Sequence, residues 1–384
     1  MASFHFSSLP LGSPLAALLK SWEMVVQVLT ELEDVVYGNE QTIGSQLMAL
    51  DQEGLAPSFA YAALAAMPTK TGDPKVLHKL QACLASAKAR HAVIVQEFGY
   101  ILNRCQAIGA APIPIKGCDL AFRIYRESYL RIMSDIDIYF VRLRDAEQLF
   151  SELQADGYRV LSVDPSRCFW DWAHHLPTLQ SPLTGVHVEL HGGLIYPPHD
   201  RRWSRVQSLT RHLQAWTWEG MPVTSLGDEA NVVYLMAHAF IQRTEARPKL
   251  LWLVDSVKIL ESKKDHFEWR QCLDLAEETD LLKSLRLGIA CICHLFHLDL
   301  PAEVIRRLRL SGDPLSSGGL EFESPKHPLI LAAERIYFSD SLVGGARKLA
   351  RTFFPSSAYM EAYYSEWQRL PLLVQYAKRL APWT

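Results

Sequence analysis

Between Ser134 and Val141 the chain reads Ser-Asp-Ile-Asp-Ile-Tyr-Phe-Val, a polar/apolar alternation that has the period of a β-strand with one buried face. Residues two apart in a strand point to the same side, so Asp135 and Asp137 project together while Ile136 and Ile138 face a core. The two acids lie ~6.6 Å apart along the strand, at a rise of about 3.3 Å per residue. Two carboxylates so placed repel each other unless a cation neutralises them, and their side chains can converge on one or two Mg2+ ions. Taken alone, Asp-x-Asp fits an exposed edge strand with two solvated acids better than a site. Its surroundings have to decide.

Residues 14 to about 108 carry apolar residues at three- and four-residue spacing, as in Leu15-Ala-Ala-Leu-Leu-Lys-Ser-Trp and Ala92-Val-Ile-Val-Gln-Glu-Phe, and predict helices ending at Gly109. Ala111-Pro-Ile-Pro-Ile-Lys-Gly117 has prolines two apart, which excludes a helix and suits a short strand at a sheet edge. A helix from Asp119 to about Arg126 follows. Asp145 is placed to cap a helix that stops at Gly157, and Tyr158 to Val163 returns as a strand. Strands over 176–181 and 186–191 form a hairpin through Pro182-Leu-Thr-Gly185, and a shorter hairpin lies around 216–224. Helices fill the chain to 310, with Asp228 and Pro248 at helix starts, and Gly, Pro and Ser crowd 311–328. The expected organisation is an N-terminal helical region (1–95), an α/β (α+β) core with a mixed sheet (96–225), a helical domain (226–310), a linker (311–328) and C-terminal helices (329–384).

Three features beside the aspartates favour a site. Lys116-Gly117 ends one strand just before a helix, where glycine permits close backbone approach, the helix N-terminus favours anions and lysine adds a charge; an ordinary strand-to-helix turn reads the same way. Arg131 lies four residues before Asp135, and Arg123 and Arg126 precede it; these could neutralise a polyphosphate, or the latter two could be solvated. In Val186-His-Val-Glu-Leu-His191, His187, Glu189 and His191 share a face, and a carboxylate on a neighbouring strand is what a two-cation site requires.

The segments Ile115-Lys-Gly-Cys-Asp-Leu-Ala121, Tyr129-Leu-Arg-Ile-Met-Ser-Asp-Ile-Asp-Ile138, Val186–His191, Tyr234-Leu-Met-Ala-His-Ala-Phe240 and Leu250-Leu-Trp-Leu-Val-Asp-Ser-Val257 resemble, in order, the uncharacterised nucleotidyltransferase-like family of the polymerase-beta nucleotidyltransferase superfamily. The resemblance spans residues 100 to about 300. It implies a mixed sheet with flanking helices, followed by a helical domain closing over a nucleotide. Asp135, Asp137 and Glu189 match the three metal carboxylates, for two Mg2+ ions or Mn2+ in their place. Lys116, Gly117, Arg131 and Ser134 would hold the triphosphate of a donor such as ATP. Lys116 and Gly117 stand where many members carry Gly-Ser, and Ile132 stands where a proline is expected. The implied reaction is in-line attack of an acceptor on the α-phosphorus with loss of pyrophosphate, Glu189 being third ligand or base. His238 and Asp255, where the resemblance recurs, either reach the cleft or form a polar core pair.

Net charge of −3 and pI near 6.5 give no global pull on phosphate backbones, so nucleic acid is not favoured and a small-molecule or polypeptide acceptor is. Seven cysteines, an odd number in mostly apolar stretches, read as reduced core thiols; with no secretion signal or 20-residue apolar run, a cytoplasmic protein without a membrane span is expected. Cys291, Cys293, His294 and His297 cannot converge from one helix and read as buried-helix residues. Phe169-Trp-Asp-Trp172 and His174-His175 could stack on a base, though packing between layers is the commoner fate of such aromatics. Two competing readings remain. His187, Glu189 and His191 could bind zinc or iron in a hydrolase or oxygenase, and the fold could serve as an inactive nucleotide- or partner-binding scaffold.

Overall fold

The computed structural model describes residues 14–30, 40–67, 73–161, 174–195, 203–240, 249–310, 354 and 369–380. Four helices come first: α1 (Pro14–Thr30), α2 (Glu40–Gln52), α3 (Ala56–Ala66) and α4 (Pro74–Ala107). The Asp73 carboxylate accepts from Lys75 N–H at 2.9 Å to cap α4, and Pro74 suits its first turn. At the other end Gly109 takes φ 67°, and the Gly109 and Ala110 amides bond to the Gln106 and Cys105 carbonyls, as the sequence predicts. With 34 residues, α4 is ~51 Å long at about 1.5 Å per residue. Its first turns bury Val76 and Leu80 among helices; its last turns bury Ile94, Phe98, Ile101 and Cys105 against the sheet. One helix thus ties two cores together.

The sheet contains β1 (Ile113–Pro114), β2 (Asp135–Tyr139), β3 (Arg159–Val160), β4 (Leu179–Gln180) and β5 (His187–His191) in the order β1-β2-β5-β4-β3. Proline-bearing β1 lies at the edge, where a missing amide is tolerated. Only β2 and β5 run parallel, so the sheet is mixed. Between β1 and β2 come α5 (Gly117–Arg123) and a 3-10 turn at Ser128–Leu130. The crossover helix α6 (Leu143–Ala155) buries Ala146, Leu149, Phe150 and Leu153 at helical spacing. It starts two residues before Asp145: Arg142 is the N-cap, and Asp145 instead sits in the first turn, accepting from Arg142 Nε at 2.8 Å. The helix dipole favours an acid there as well. Gly185 (φ 72°) closes the β4–β5 turn, where Ser181 Oγ accepts from the Leu183 and Thr184 amides.

A hairpin of β6 (Leu213–Trp218) and β7 (Met221–Leu226) turns at Glu219 and Gly220, both at positive φ. After the short α7 (Trp203–Val206) and this hairpin come α8 (Asp228–Phe240), α9 (Leu250–Lys263), α10 (Trp269–Glu278), α11 (Leu282–Phe296) and α12 (Ala302–Arg307), with α13 (Leu372–Leu380) near the end. Trp22, Phe59 and Leu80 from the N-terminal helices share one hydrophobic cluster with Tyr234, Phe240, Leu253 and Ile292. Glu53 accepts the Leu250 amide at 2.7 Å across the same boundary. Helices from before and after the sheet strands in sequence therefore share one core. Pro248, Phe169–Trp172 and the 311–328 stretch lie outside the described residues.

Among the described residues, Cys105, Cys118, Cys272, Cys291 and Cys293 are free and buried, and no helix is long and apolar enough to cross a membrane. Cys291 and Cys293 lie in buried α11 while His294 pairs with Glu23, so these residues do not converge on a metal.

Candidate active site

The parallel register of β2 and β5 sets Asp135 opposite His187 and Asp137 opposite Glu189. Two acids on one face of β2 thus meet a third across the ladder. Asp137 is buried, and its Oδ1 accepts from Lys116 Nζ at 2.9 Å and from His191 Nε2 at 2.8 Å. Burial opposes ionisation of Asp137, but Lys116 and His191 outweigh it and hold the carboxyl well below the usual range. Asp135, half-buried and hydrogen-bonded by Ser134 Oγ at 3.0 Å, goes the other way. Burial and the neighbouring Asp137 charge push it up to about 7. The strand pair carries more negative charge than its own lysine balances.

Lys116 reaches Asp137 from the N-cap of α5, at φ 53° and ψ −126°. A non-glycine residue there stores strain of order 1–3 kcal/mol, which the surrounding contacts must hold. Gly117 follows for a packing reason: a Cβ on it would stand 2.7 Å from Met133 Cγ and 3.4 Å from Arg131 Nη1. Gly117→Ala should therefore cost about 1–3 kcal/mol. Urea unfolding of the alanine variant, alone and with Met133→Ala, checks this; the loss should shrink in the double variant.

Histidines close the inner side. His191 is fully buried, and its ring centroid lies 5.0 Å from His174 and 5.2 Å from His175. Burial lowers the pKa values of His191 and His174, which favours neutral rings; a neutral His191 carries one N–H, and it is Nε2–H that bonds Asp137. Glu189 Oε2 lies 3.7 Å from His191 Nε2 and 3.8 Å from His175 Nε2, and its other oxygen accepts from Thr178 at 3.3 Å. One ligand atom each from Asp137, Glu189 and His191 lie within 4.8 Å of one another. This buried set of oxygen and imidazole donors fits a divalent cation. His187 is exposed at the far end of β5, away from that group.

Arg131 and Arg123 are held in ion pairs. Arg131 is buried, and its Nε and Nη2 donate to Asp255 at 2.8 Å each while Nη1 donates to the Ile132 carbonyl. Tyr125 OH donates to the same Asp255 at 2.7 Å. Asp255 is thereby a core partner rather than a cleft residue. Arg123 is also engaged, with Asp119 at 2.8 Å and Asp228 at 2.5 Å, and Lys263 completes Asp228 at 2.8 Å. Arg126 is exposed. His238 is buried on α8 with its ring 4.6 Å from Trp252. Tyr234, one turn before it, was assigned no site role by the sequence; its hydroxyl is buried with no hydrogen-bond partner among the described residues. Burial raises the Tyr234 pKa, and the charges of Lys116 and Asp137 bear on it.

A carboxylate pair, a third acid across a parallel ladder and a lysine at a helix start are the parts from which phosphoryl transfer is built. No curated protein and no solved structure matches the chain. The model of a family described as uncharacterised nucleotidyltransferase matches residues 40–297, which include all five strands of the mixed sheet and helices α2 to α11. The match takes in the greater part of the chain, and the protein belongs to this family of uncharacterised nucleotidyltransferases.

Proposed function

We propose that the protein moves a nucleoside monophosphate from a nucleoside triphosphate, ATP among the candidates, to a small-molecule or polypeptide acceptor, with release of pyrophosphate and dependence on Mg2+. The observation that carries this reading is the placement of Asp137 beside Glu189 on parallel strands, with Asp135 one step along and Lys116 at hydrogen-bond distance. Asp135, Asp137 and Glu189 would hold the cations, and His191, whose Nε2–H donates to Asp137, would orient that carboxylate as a ligand. The bound cations supply charge neutralisation on the triphosphate and activation of the attacking group. Lys116 and the backbone at Gly117 bind the triphosphate, and Ser134 orients Asp135. Glu189, half-buried, is placed to take the acceptor's proton when it is not a ligand. Arg131 would support the triphosphate site from behind, its Nη1 donating to the Ile132 carbonyl beside Gly117 while Nε and Nη2 are tied to Asp255. The free thiols among the described residues suit a reducing compartment such as the cytoplasm.

Incubation of the purified protein with α-labelled nucleoside triphosphates, Mg2+ and cell extract should transfer label and release pyrophosphate. Absence of any labelled product would favour the scaffold reading. The crowding of His175 and His191 around Glu189 keeps a transition-metal hydrolase or oxygenase as a second reading. Stoichiometric zinc or iron surviving dialysis of the purified protein would decide for it.

A further inference from the structure

The ammonium of Lys116 stands where a cation serving Asp137 would stand. It lies 2.9 Å from Asp137 Oδ1, between side chains only 12% and 4% exposed. That same oxygen already accepts from His191, so its lone pairs are spent. The lysine reaches this position from a strained backbone at φ 53°. An ammonium has three donors, and the single hydrogen bond recorded for Lys116 among the described residues is to Asp137. A divalent cation taking the acids would face a positive charge at contact distance. A polyphosphate arriving with it offers that charge another partner.

We propose that Lys116 is an internal counter-ion that occupies Asp137 until a divalent cation enters together with a nucleoside triphosphate, whereupon its ammonium passes from Asp137 to the polyphosphate. Metal and nucleotide then bind cooperatively, and the site discriminates against either alone. The coupling is reciprocal: whatever factor the nucleotide adds to metal affinity, the metal adds to nucleotide affinity. No proton moves; the ammonium stays charged and only exchanges partners. This inference rests on the metal-dependent reading above.

Binding of Mn2+ to the full chain, followed by the paramagnetic resonance of the free ion, tests it. A non-hydrolysable α,β-methylene nucleoside triphosphate should tighten Mn2+ binding to the unaltered protein by about tenfold or more, within the usual range of coupling between sites. Lys116→Met should bind Mn2+ about tenfold more tightly than the unaltered protein without nucleotide, and lose most of the coupling. Mn2+ should also raise the Tm of Lys116→Met more than that of the unaltered protein, since the vacated carboxylate gains a partner. Lys116→Gln serves the same comparison if the methionine variant does not fold. Equal Mn2+ affinity of variant and unaltered protein without nucleotide, or no effect of the analogue on the unaltered protein, would overturn the proposal while leaving the metal reading intact. Failure of every form to take up Mn2+, with or without analogue, would remove the metal reading itself and this inference with it.

Discussion

Asp135→Asn should lower nucleotidyl transfer by about three orders of magnitude, on the scale of removing one group that stabilises transition-state charge, while leaving the fold intact. Asp135 is half-buried, its recorded hydrogen bond comes from its neighbour Ser134, and asparagine keeps its shape. No buried cation is stranded by the change. Asp137→Asn differs: it would also leave the Lys116 ammonium without its carboxylate in a nearly closed site, so activity and stability should fall together. Label transfer measured beside urea unfolding separates the two variants, Asp135→Asn showing a near-normal midpoint and Asp137→Asn a lowered one. Activity of Asp135→Asn within about tenfold of normal would sink the three-carboxylate assignment. The cation would then belong to Asp137, Glu189 and His191 alone, the group whose donor atoms already lie together.

How much of this was legible beforehand follows from the range of the interactions involved. Alternation is a local signal, so β2, β5 and the β4–β5 turn stand where the periodicity puts them, and edge strand β1 follows from its proline spacing. The same alternation gives the shared face of Asp135 and Asp137. Parallel pairing is not local: that Glu189 faces Asp137 rather than Asp135 is set by the crossover through α6 and by strand register. Charges mislead for a related reason. Arg131 reads as a phosphate ligand because its partner, Asp255, lies more than a hundred residues away, and Asp228, which joins the local Asp119 on Arg123, is likewise more than a hundred residues from it. Lys116 reads as a free phosphate ligand because nothing in a sequence reveals which of its own acids it meets first. The common core of the N-terminal helices and α8 to α11 is hidden too, since each helix shows an apolar face and none names its mate.

The largest stability effect should come from Asp255→Ala, at about 3–5 kcal/mol, because it removes one partner of a buried ion pair and leaves the other charged and enclosed. Arg131 is 5% exposed and Asp255 is fully buried, and the guanidinium spends Nε and Nη2 on the carboxylate. Tyr125 OH, which donates to Asp255 Oδ1, would lose its acceptor as well; a buried unsatisfied hydroxyl adds roughly 1–3 kcal/mol. Removing both charges should cost far less than removing one: Arg131→Met/Asp255→Leu, made with Tyr125→Phe, keeps volume and leaves no buried charge, taking only the Arg131 donor from the carbonyl of half-buried Ile132. Unfolding midpoints in urea for the single and combined variants give the coupling directly. A single-variant loss below about 1 kcal/mol would show the pair to be a solvated contact instead. The consequence reaches the site, since Arg131 Nη1 lies 3.4 Å from where a Cβ on Gly117 would stand. Asp255→Ala should therefore raise KM for the nucleotide more than the combined variant does, because it alone leaves a charged Arg131 without its anchor beside the lysine that meets the triphosphate.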